Sequence, residues 1–192
     1  MNIIMTGSTS FVGAATVREL LRRGHTVTAI VRPKSSKLDT ILEGNEEALL
    51  SGRLLVTEND LSEPEKLLEK VTKPQDVFCH FGWGGSGSAS RTDKALQEKN
   101  MEISLETIRT AKALGCKKFL FSGSQAEYGM HQDLITENTV CEPKSLYGEA
   151  KLAMREKGEK LCDELGLRYI HARIFSAYGP GDHPWTLSLI HI

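Results

Sequence analysis

A tyrosine and a lysine four residues apart carry the clearest chemistry in the chain: Tyr147 and Lys151, in YGEAK. Side chains at this spacing share one face of a helix. A phenol ionises at a pH of about 10, whereas a neighbouring cation favours the phenolate and lowers its pKa. We therefore predict that Lys151 lowers the pKa of Tyr147. Tyr147 would then donate a proton to a carbonyl oxygen being reduced, or remove one from an alcohol being oxidised.

A serine precedes this pair at the end of an apolar run. Residues 121–129 read FSGSQAEYG, and Ser124 lies three residues after Phe121, the end of the run. Ligands of open α/β sheets bind at the carboxyl ends of the strands, so we predict that Ser124 hydrogen-bonds the reacting oxygen. A Tyr-Lys pair alone occurs on many solvent-exposed helices. Together with a strand-terminal serine and a glycine turn, in this order, it indicates a reaction centre.

The glycine turn is TGSTSFVG, at residues 6–13. It joins the first predicted strand to the first helix, where free N–H groups and the helix dipole hold a pyrophosphate. Gly7 permits the tight turn and Gly13 permits close packing of helix on strand, while Ser10 stands where a middle glycine is usual. The predicted dinucleotide contacts of this turn are Gly7, Ser10, Phe11, Val12 and Gly13.

The end of the second predicted strand indicates which dinucleotide is bound. An acid there would bind the ribose 2′-hydroxyl of NAD, but the sequence reads RPKSSK from Arg32 to Lys37. Cations suit a 2′-phosphate, so we predict NADP(H) in preference to NAD(H), with Arg32 and Lys37 as ligands. The alternative is a solvated basic loop. After the third strand, Asp60 is predicted near the adenine or as a helix N-cap.

Short apolar runs alternate with amphipathic stretches along the chain, which is typical of βα units around a parallel sheet. We predict a Rossmann-type doubly wound α/β domain with helices on both faces of the sheet. The three clearest helices span 11–23, 93–114 and 145–165, and each is followed by a glycine. The predicted strands are 3–5, 27–31, 54–57, 77–81, 118–121 and 169–174.

Composition excludes several classes of protein. The chain has 192 residues, 40% hydrophobic and 26% charged, with a net charge of -1, which argues against disorder and against nucleic-acid binding. Four cysteines and six histidines lack metal-ligand spacing, so no metal is expected. No apolar run is long enough for a membrane span, and the glycine turn comes too early for a signal peptide. We expect a soluble cytoplasmic protein.

Over residues 1–186 the chain resembles the extended short-chain dehydrogenases/reductases, a family of nucleotide-sugar epimerases, dehydratases and reductases. The resemblance rests on TGSTSFVG, Asp60-Leu61, CHFGW, Asn100, SGSQAEYG, YGEAK and RIFSAYGPGDHP. It implies a homodimer formed through helices 93–114 and 145–165. It further implies that Lys151 binds the nicotinamide ribose. The implied catalytic residues are Ser124, Tyr147 and Lys151, and the further implied cofactor contacts are Asp60, Leu61, Phe81 and Gly82.

Departures from the family pattern narrow the reaction. The 4,6-dehydratases of this family carry an Asp-Glu pair after the active-site threonine, whereas this chain has Gln125 and Ala126. Neither side chain is a general acid or base, so a 4,6-dehydratase is not predicted. We predict NADPH-dependent reduction of a 4-keto nucleotide sugar with Tyr147 as proton donor. The alternatives are a nucleotide-sugar 4-epimerase and, from a different class, a non-catalytic dinucleotide-sensing protein.

The end of the sequence also departs from the family. Members of the family continue into a substrate domain, which we expect to be missing or truncated here, after a dinucleotide-binding domain at 1–186. Residues 187–192 read LSLIHI, the translation of CTGTCTCTTATACACATC, a transposon end used in preparing sequencing libraries. We expect a non-native tail at 187–192. The alternative is a natural helix start.

Overall fold

Six parallel strands form one sheet in the order β3-β2-β1-β4-β5-β6 in a computed structural model that describes residues 1–85 and 89–181. This is the doubly wound order, which reverses between β1 and β4 and leaves a crevice there. All six predicted strands are confirmed. The strands are β1 (Asn2–Thr6), β2 (Thr26–Val31), β3 (Leu54–Glu58), β4 (Val77–His80), β5 (Lys118–Ser124) and β6 (Arg168–Ile174).

The three predicted helices are α1, α5 and α6, and they are confirmed. The segments that join β2 to β3 and β3 to β4 carry only short helices. The helices are α1 (Phe11–Arg22), α2 (Asp39–Leu42), α3 (Glu46–Leu50), α4 (Leu67–Lys70), α5 (Lys94–Ala113) and α6 (Leu146–Leu165). Single 3₁₀ turns lie at Pro64–Lys66, Ala89–Thr92 and Gln125–Glu127.

Capping residues determine where the long helices begin and end. The Asp93 side chain accepts the Leu96 N–H before α5, and the Ser145 side chain accepts the Gly148 N–H before α6. Both residues are therefore N-caps and not the first helical residues of the predicted ranges. Helix α6 ends at Gly166, whose φ of 66° places it in the left-handed region that favours glycine.

The core consists of two apolar layers, one on each face of the sheet. One layer packs α1 against β1 and β2, with Val17 and Met5 at its centre. The other packs α5 and α6 against β4 and β5, with Ile108, Met154 and Phe119 fully buried. Because both layers hold the strands firmly, the carboxyl ends of β1, β4 and β5 lie fixed beside the crevice.

Some predictions concern residues outside the described ranges. The domain boundary at 186 and the tail at 187–192 lie there, as do residues 86–88 of the glycine-rich loop. Within 1–85 and 89–181, none of the helices is long and apolar enough to cross a membrane. Those same ranges hold no group of three or more His, Cys, Asp or Glu side chains arranged to bind a metal ion.

Candidate active site

A cleft of about 650 Å³ opens at the carboxyl ends of the strands, at the point where the strand order reverses. It brings together most of the residues predicted from the sequence. Phe11 and Gly13 do not line the cleft. The predicted residues that line it are Gly7, Ser10, Val12, Arg32, Lys37, Asp60, Leu61, Phe81, Gly82, Ser124, Tyr147 and Lys151.

The turn after β1 has no room for side chains at its two glycines. Gly7 has a φ of 71°, and a Cβ there would lie 2.7 Å from the carbonyl carbon of Phe81. A Cβ on Gly13 would collide with the carbonyl oxygen of Gly7. The turn therefore packs backbone against backbone and keeps the first turn of α1 close to the cleft.

Ser10 occupies the middle glycine position without strain. Its φ is -75°, its hydroxyl donates to the Gly7 carbonyl at 2.8 Å, and its oxygen accepts the Gly13 N–H at 3.1 Å. Ser10 is thus the N-cap of α1, and its backbone conformation does not require glycine. The Phe11 and Val12 N–H groups lie in the first helical turn, where no helix carbonyl accepts them, so the turn fits a pyrophosphate.

One end of the cleft lies at the carboxyl ends of β2 and β3. Arg32 and Lys37, the two residues predicted to bind a 2′-phosphate, line the cleft. The Asp60 carboxylate accepts the N–H and the O–H of Ser62, at 2.9 and 2.7 Å, and these bonds lower the pKa of Asp60. Asp60 therefore caps its own turn while it also lines the cleft.

Ser124 is the last residue of β5, which extends past the predicted end at residue 121. The side chain is half-buried and its oxygen accepts the Ala126 N–H at 3.2 Å. Its own N–H donates to a Glu127 carboxylate oxygen at 2.7 Å. Both bonds belong to the 3₁₀ turn at Gln125–Glu127, which fixes the main chain around Ser124.

Tyr147 lies half-buried near the start of α6 and lines the same cleft as Ser124. Burial raises the pKa of Tyr147, while the Ser124 hydroxyl and the Arg91 guanidinium, 5.1 Å from the centre of the ring, oppose this effect. The prediction of a pKa lowered by Lys151 is therefore wrong. The spacing does place both residues on one helix face, but the ammonium nitrogen lies 5.7 Å from the tyrosine ring centre and bonds elsewhere.

Lys151 is 2% exposed and lies among aromatic rings. Its Nζ donates to the Ser122 carbonyl at 2.8 Å and lies 3.9 Å from the centre of the Trp83 ring and 4.6 Å from that of Phe121. Burial lowers the pKa of Lys151 to about 7, against the opposite effect of Glu127. The cleft therefore holds an amine that changes charge near neutral pH.

A buried histidine joins three elements beside the cleft. The Thr6 hydroxyl lies 2.9 Å from His80 Nδ1, and His80 Nε2 lies 3.1 Å from the Ser104 hydroxyl. Because that hydroxyl donates to the Asn100 carbonyl, Nε2 carries the proton and Nδ1 accepts from Thr6. Burial lowers the pKa of His80 to about 3, so the imidazole is neutral.

The loop after β4 is anchored to α5. The Asn100 side chain bonds both the N–H and the carbonyl of Gly84, each at 2.9 Å, and the Trp83 indole donates to Gln97 at 3.0 Å. Trp83 also contacts Tyr147 edge-on, with ring centres 6.2 Å apart. Trp83 is thus a loop anchor and a wall of the cleft at once.

Three ionisable residues beside Ser124 were not predicted from the sequence. The Glu127 carboxylate is fully buried and bonds His171 Nε2 at 3.0 Å and Arg173 Nε at 2.8 Å. The available signal was on β6, where Tyr169, His171 and Arg173 alternate along one face of a strand. That pattern indicates a polar strand face, but it does not predict that this face contacts the Glu127 carboxylate.

The chain matches a known protein family over most of its length. The model of the NAD dependent epimerase/dehydratase family matches residues 3–188. The chain belongs to this family. Its members are enzymes, and the resemblance to the extended short-chain dehydrogenases/reductases is confirmed.

Individual relatives within the family differ in activity. The chain is 30% identical to dTDP-6-deoxy-L-talose 4-dehydrogenase (NAD(+)) of Aggregatibacter actinomycetemcomitans, covering 88% of this chain and 60% of that protein. It is 29% identical to D-erythronate dehydrogenase of Cupriavidus necator, covering 91% and 53%. UDP-glucose 4-epimerase of Thermotoga maritima with UDP-glucose superposes with a TM-score of 0.79 at 26% identity, over 97% of this chain and 59% of that one. The chain thus spans 53–60% of the length of these relatives.

Proposed function

We propose that this chain carries the dinucleotide site and reaction centre of an NADPH-dependent reductase of 4-keto nucleotide sugars. The observation that carries the proposal is the common cleft, in which Ser124, Tyr147 and Lys151 face the glycine turn and the basic end of β2. Gln125 and Ala126 supply no acid or base for dehydration. Binding of a nucleotide sugar to the Thermotoga epimerase supports the substrate class.

The proposed roles follow from what each side chain does in the cleft. The glycine turn would hold NADPH, which would supply the hydride for the carbonyl carbon. Ser124 hydrogen-bonds the carbonyl oxygen, and Tyr147 donates the proton that converts it to a hydroxyl. The raised pKa of Tyr147 keeps the phenol protonated at neutral pH, as a proton donor requires. Lys151 donates a hydrogen bond to the Ser122 carbonyl. In its charged form it also contacts the ribose hydroxyls.

A 4-epimerase is the second candidate, favoured by the similarity to UDP-glucose 4-epimerase. The same three side chains serve both reactions, because epimerisation uses hydride removal and return at the same carbon. The basic residues Arg32 and Lys37 favour the reductase, since net reduction consumes NADPH. The Aggregatibacter relative is a dehydrogenase named for NAD(+), and this similarity favours NAD(H) over NADP(H).

We further infer a cytoplasmic homodimer formed through α5 and α6, with a dinucleotide-binding domain that extends to residue 186. Helices α5 and α6 pack side by side on one face of the sheet, so their outer surfaces form a continuous face. Sedimentation of the purified chain tests whether it is a dimer. A single species with the mass of one chain contradicts it.

Isotope transfer tests the reaction. The chain is incubated with dTDP-4-keto-6-deoxyglucose and 4-deuterated NADPH, and the released sugar is analysed by mass spectrometry. One deuterium per product molecule is the expected result. Interconversion of UDP-glucose and UDP-galactose without net transfer of label would establish the epimerase instead. Because the chain spans only 53–60% of the length of its relatives, binding of NADPH without turnover of either substrate contradicts both proposals when the protein tested also carries a substrate domain.

A further inference from the structure

The carboxylate of Glu127 lies directly behind the strand end that carries Ser124. It is fully buried, yet it accepts the Ser124 N–H at 2.7 Å and contacts His171 Nε2 at 3.0 Å and Arg173 Nε at 2.8 Å. An unpaired buried carboxylate is strongly destabilising, whereas this one has a donor on every side. Burial raises the pKa of Glu127, but the bonds from His171 and Arg173 outweigh burial and the net pKa is lowered. Glu127 is therefore an anion.

The strand end is held from two directions. Lys151 bonds the Ser122 carbonyl at 2.8 Å, and Glu127 bonds the Ser124 N–H two residues later. Gly123 between them has no space for a side chain, because a Cβ would lie 2.6 Å from the Glu127 oxygen and 2.5 Å from His171 Nε2. The carboxylate and the imidazole thus pack against the bare backbone of β5.

We propose that Glu127 is a positioning residue of the reaction centre. Held by Arg173 and His171, it fixes the main chain of Ser124 and supplies a buried negative charge that favours the protonated form of Lys151. The inference rests on the roles assigned to Ser124 and Lys151 in the proposed function. The bonds of Glu127 to His171 and Arg173 join the end of β5 to β6, so the position of Ser124 depends on both strands.

Electrostatics supports a coupling between Glu127 and Lys151. The charge of Glu127 raises the pKa of Lys151, in opposition to burial, and it also raises the pKa of Tyr147. His80, which faces Lys151 from β4, is neutral because its pKa is about 3. The charged and titratable groups around this pair are His80 on β4, Glu127 after β5, Tyr147 on α6, and His171 and Arg173 on β6.

Trp83 supplies a reporter for the charge of Lys151 that does not need turnover. The ammonium nitrogen lies 3.9 Å from the centre of the indole ring, so its protonation changes the emission of Trp83. The chain has two tryptophans, and Trp185→Phe leaves Trp83 as the only one. In that background we expect an emission titration with a midpoint at a pH of about 7. Lys151→Met abolishes it, which assigns the titration to the amine.

The test substitutes Glu127→Gln, which preserves size and an acceptor oxygen but removes the charge. We expect the Trp83 midpoint to fall by roughly half a unit or more. Glu19→Gln is the matched control, since Glu19 also bonds two basic side chains, Arg22 and Arg23, but lies on the surface of α1 with 43% of its side chain exposed. The control leaves the midpoint unchanged. A midpoint that is equal in Glu127→Gln and in the parent overturns the proposal, whether or not the chain reduces a sugar.

Two further variants separate positioning from mere stability. If Glu127→Gln does not fold, the double variant Glu127→Gln/Arg173→Met removes the two charges together and is expected to fold. We expect its midpoint to fall as well, but by less than the carboxylate alone would cause, because loss of the arginine charge partly offsets loss of the carboxylate charge. Gly123→Ala keeps every charge but displaces the carboxylate. With NADPH and dTDP-4-keto-6-deoxyglucose, we expect kcat of Gly123→Ala to fall at least tenfold while the Kd of NADPH stays within twofold. An unchanged kcat overturns the positioning role.

Discussion

The two ends of the cleft differ in the groups that line them: main-chain groups at one end and ionisable side chains at the other. At the β1–α1 end, the cleft is lined by the backbone of a glycine at positive φ and by a helix N-terminus that begins at a capping serine. At the β4–β5–β6 end they are buried ionisable side chains, among them His80, Glu127 and Lys151. Backbone donors bind an anion at every pH, whereas buried ionisable groups respond to charge and proton concentration. The first end is therefore suited to binding and the second to proton transfer.

Tyr147→Phe tests the reaction end with the largest expected effect. The substitution removes the hydroxyl and keeps the ring against Trp83, so we expect kcat to fall by roughly 10²–10⁴ while NADPH affinity is unchanged. Steady-state kinetics and NADPH fluorescence measure the two quantities. Tyr178→Phe, at a tyrosine that is 68% exposed, is the control and retains kcat. Equal turnover in both variants would contradict the role of Tyr147 as proton donor, whereas NADPH binding with no turnover in the parent or in either variant would favour the non-catalytic sensing protein.

Gly7→Ala tests whether the binding end depends on backbone shape. The alanine meets a φ of 71° and the Phe81 carbonyl carbon at 2.7 Å, so we expect the free energy of unfolding to fall by roughly 2–4 kcal/mol. Gly24→Ala meets a φ of 79° but no atom within 4 Å, and roughly 1 kcal/mol is expected there. Urea denaturation compares the two. Similar losses would mean that close packing contributes nothing at Gly7.

Lys151→Met tests the cost of a buried amine. Folding lowers the pKa of Lys151 from 10.5 to about 7, so above about pH 7 the unfolded chain binds more protons. The free energy of unfolding therefore rises with pH from about 7 to 10.5 through this group, and the range from about 7 to 8.5 is the one measured. Methionine removes this rise and adds roughly 1–3 kcal/mol of stability at pH 7.

The measurement is urea denaturation of both proteins across this range, and their difference isolates Lys151 from the cysteines and tyrosines that titrate at higher pH. Lys157→Met, at an exposed position of the same helix, is the control and keeps the pH dependence of the parent. A parent stability that does not change with pH relative to Lys151→Met would contradict a lowered pKa.

The same contrast explains how far the sequence could be interpreted. Apolar runs predict the six strands, and the spacing of Gly7 and Gly13 predicts the turn, because both signals are local. Ser10 illustrates a local limit: its identity weakens the glycine motif, but its φ and its cap show that serine is suited to the position.

The contacts of the reaction end depend on distant pairs, which no local pattern specifies. His80 meets Ser104 across 24 residues, and Glu127 meets His171 across 44. The spacing of Tyr147 and Lys151 places them on one face but says nothing of burial. Burial is what raises the pKa of one and lowers that of the other.

Arg32→Ala has the smallest expected effect. It tests the predicted recognition of a 2′-phosphate, which at the binding end depends on side chains. If Arg32 contacts a 2′-phosphate, its removal weakens NADPH binding about tenfold and leaves NADH binding within twofold. Lys34→Asn is the control, because Lys34 is outside the cleft lining and its φ of 56° is tolerated by asparagine. Fluorescence titration with each dinucleotide measures the ratio. Equal losses for NADPH and NADH would contradict phosphate recognition, and the binding end would then depend on its backbone alone.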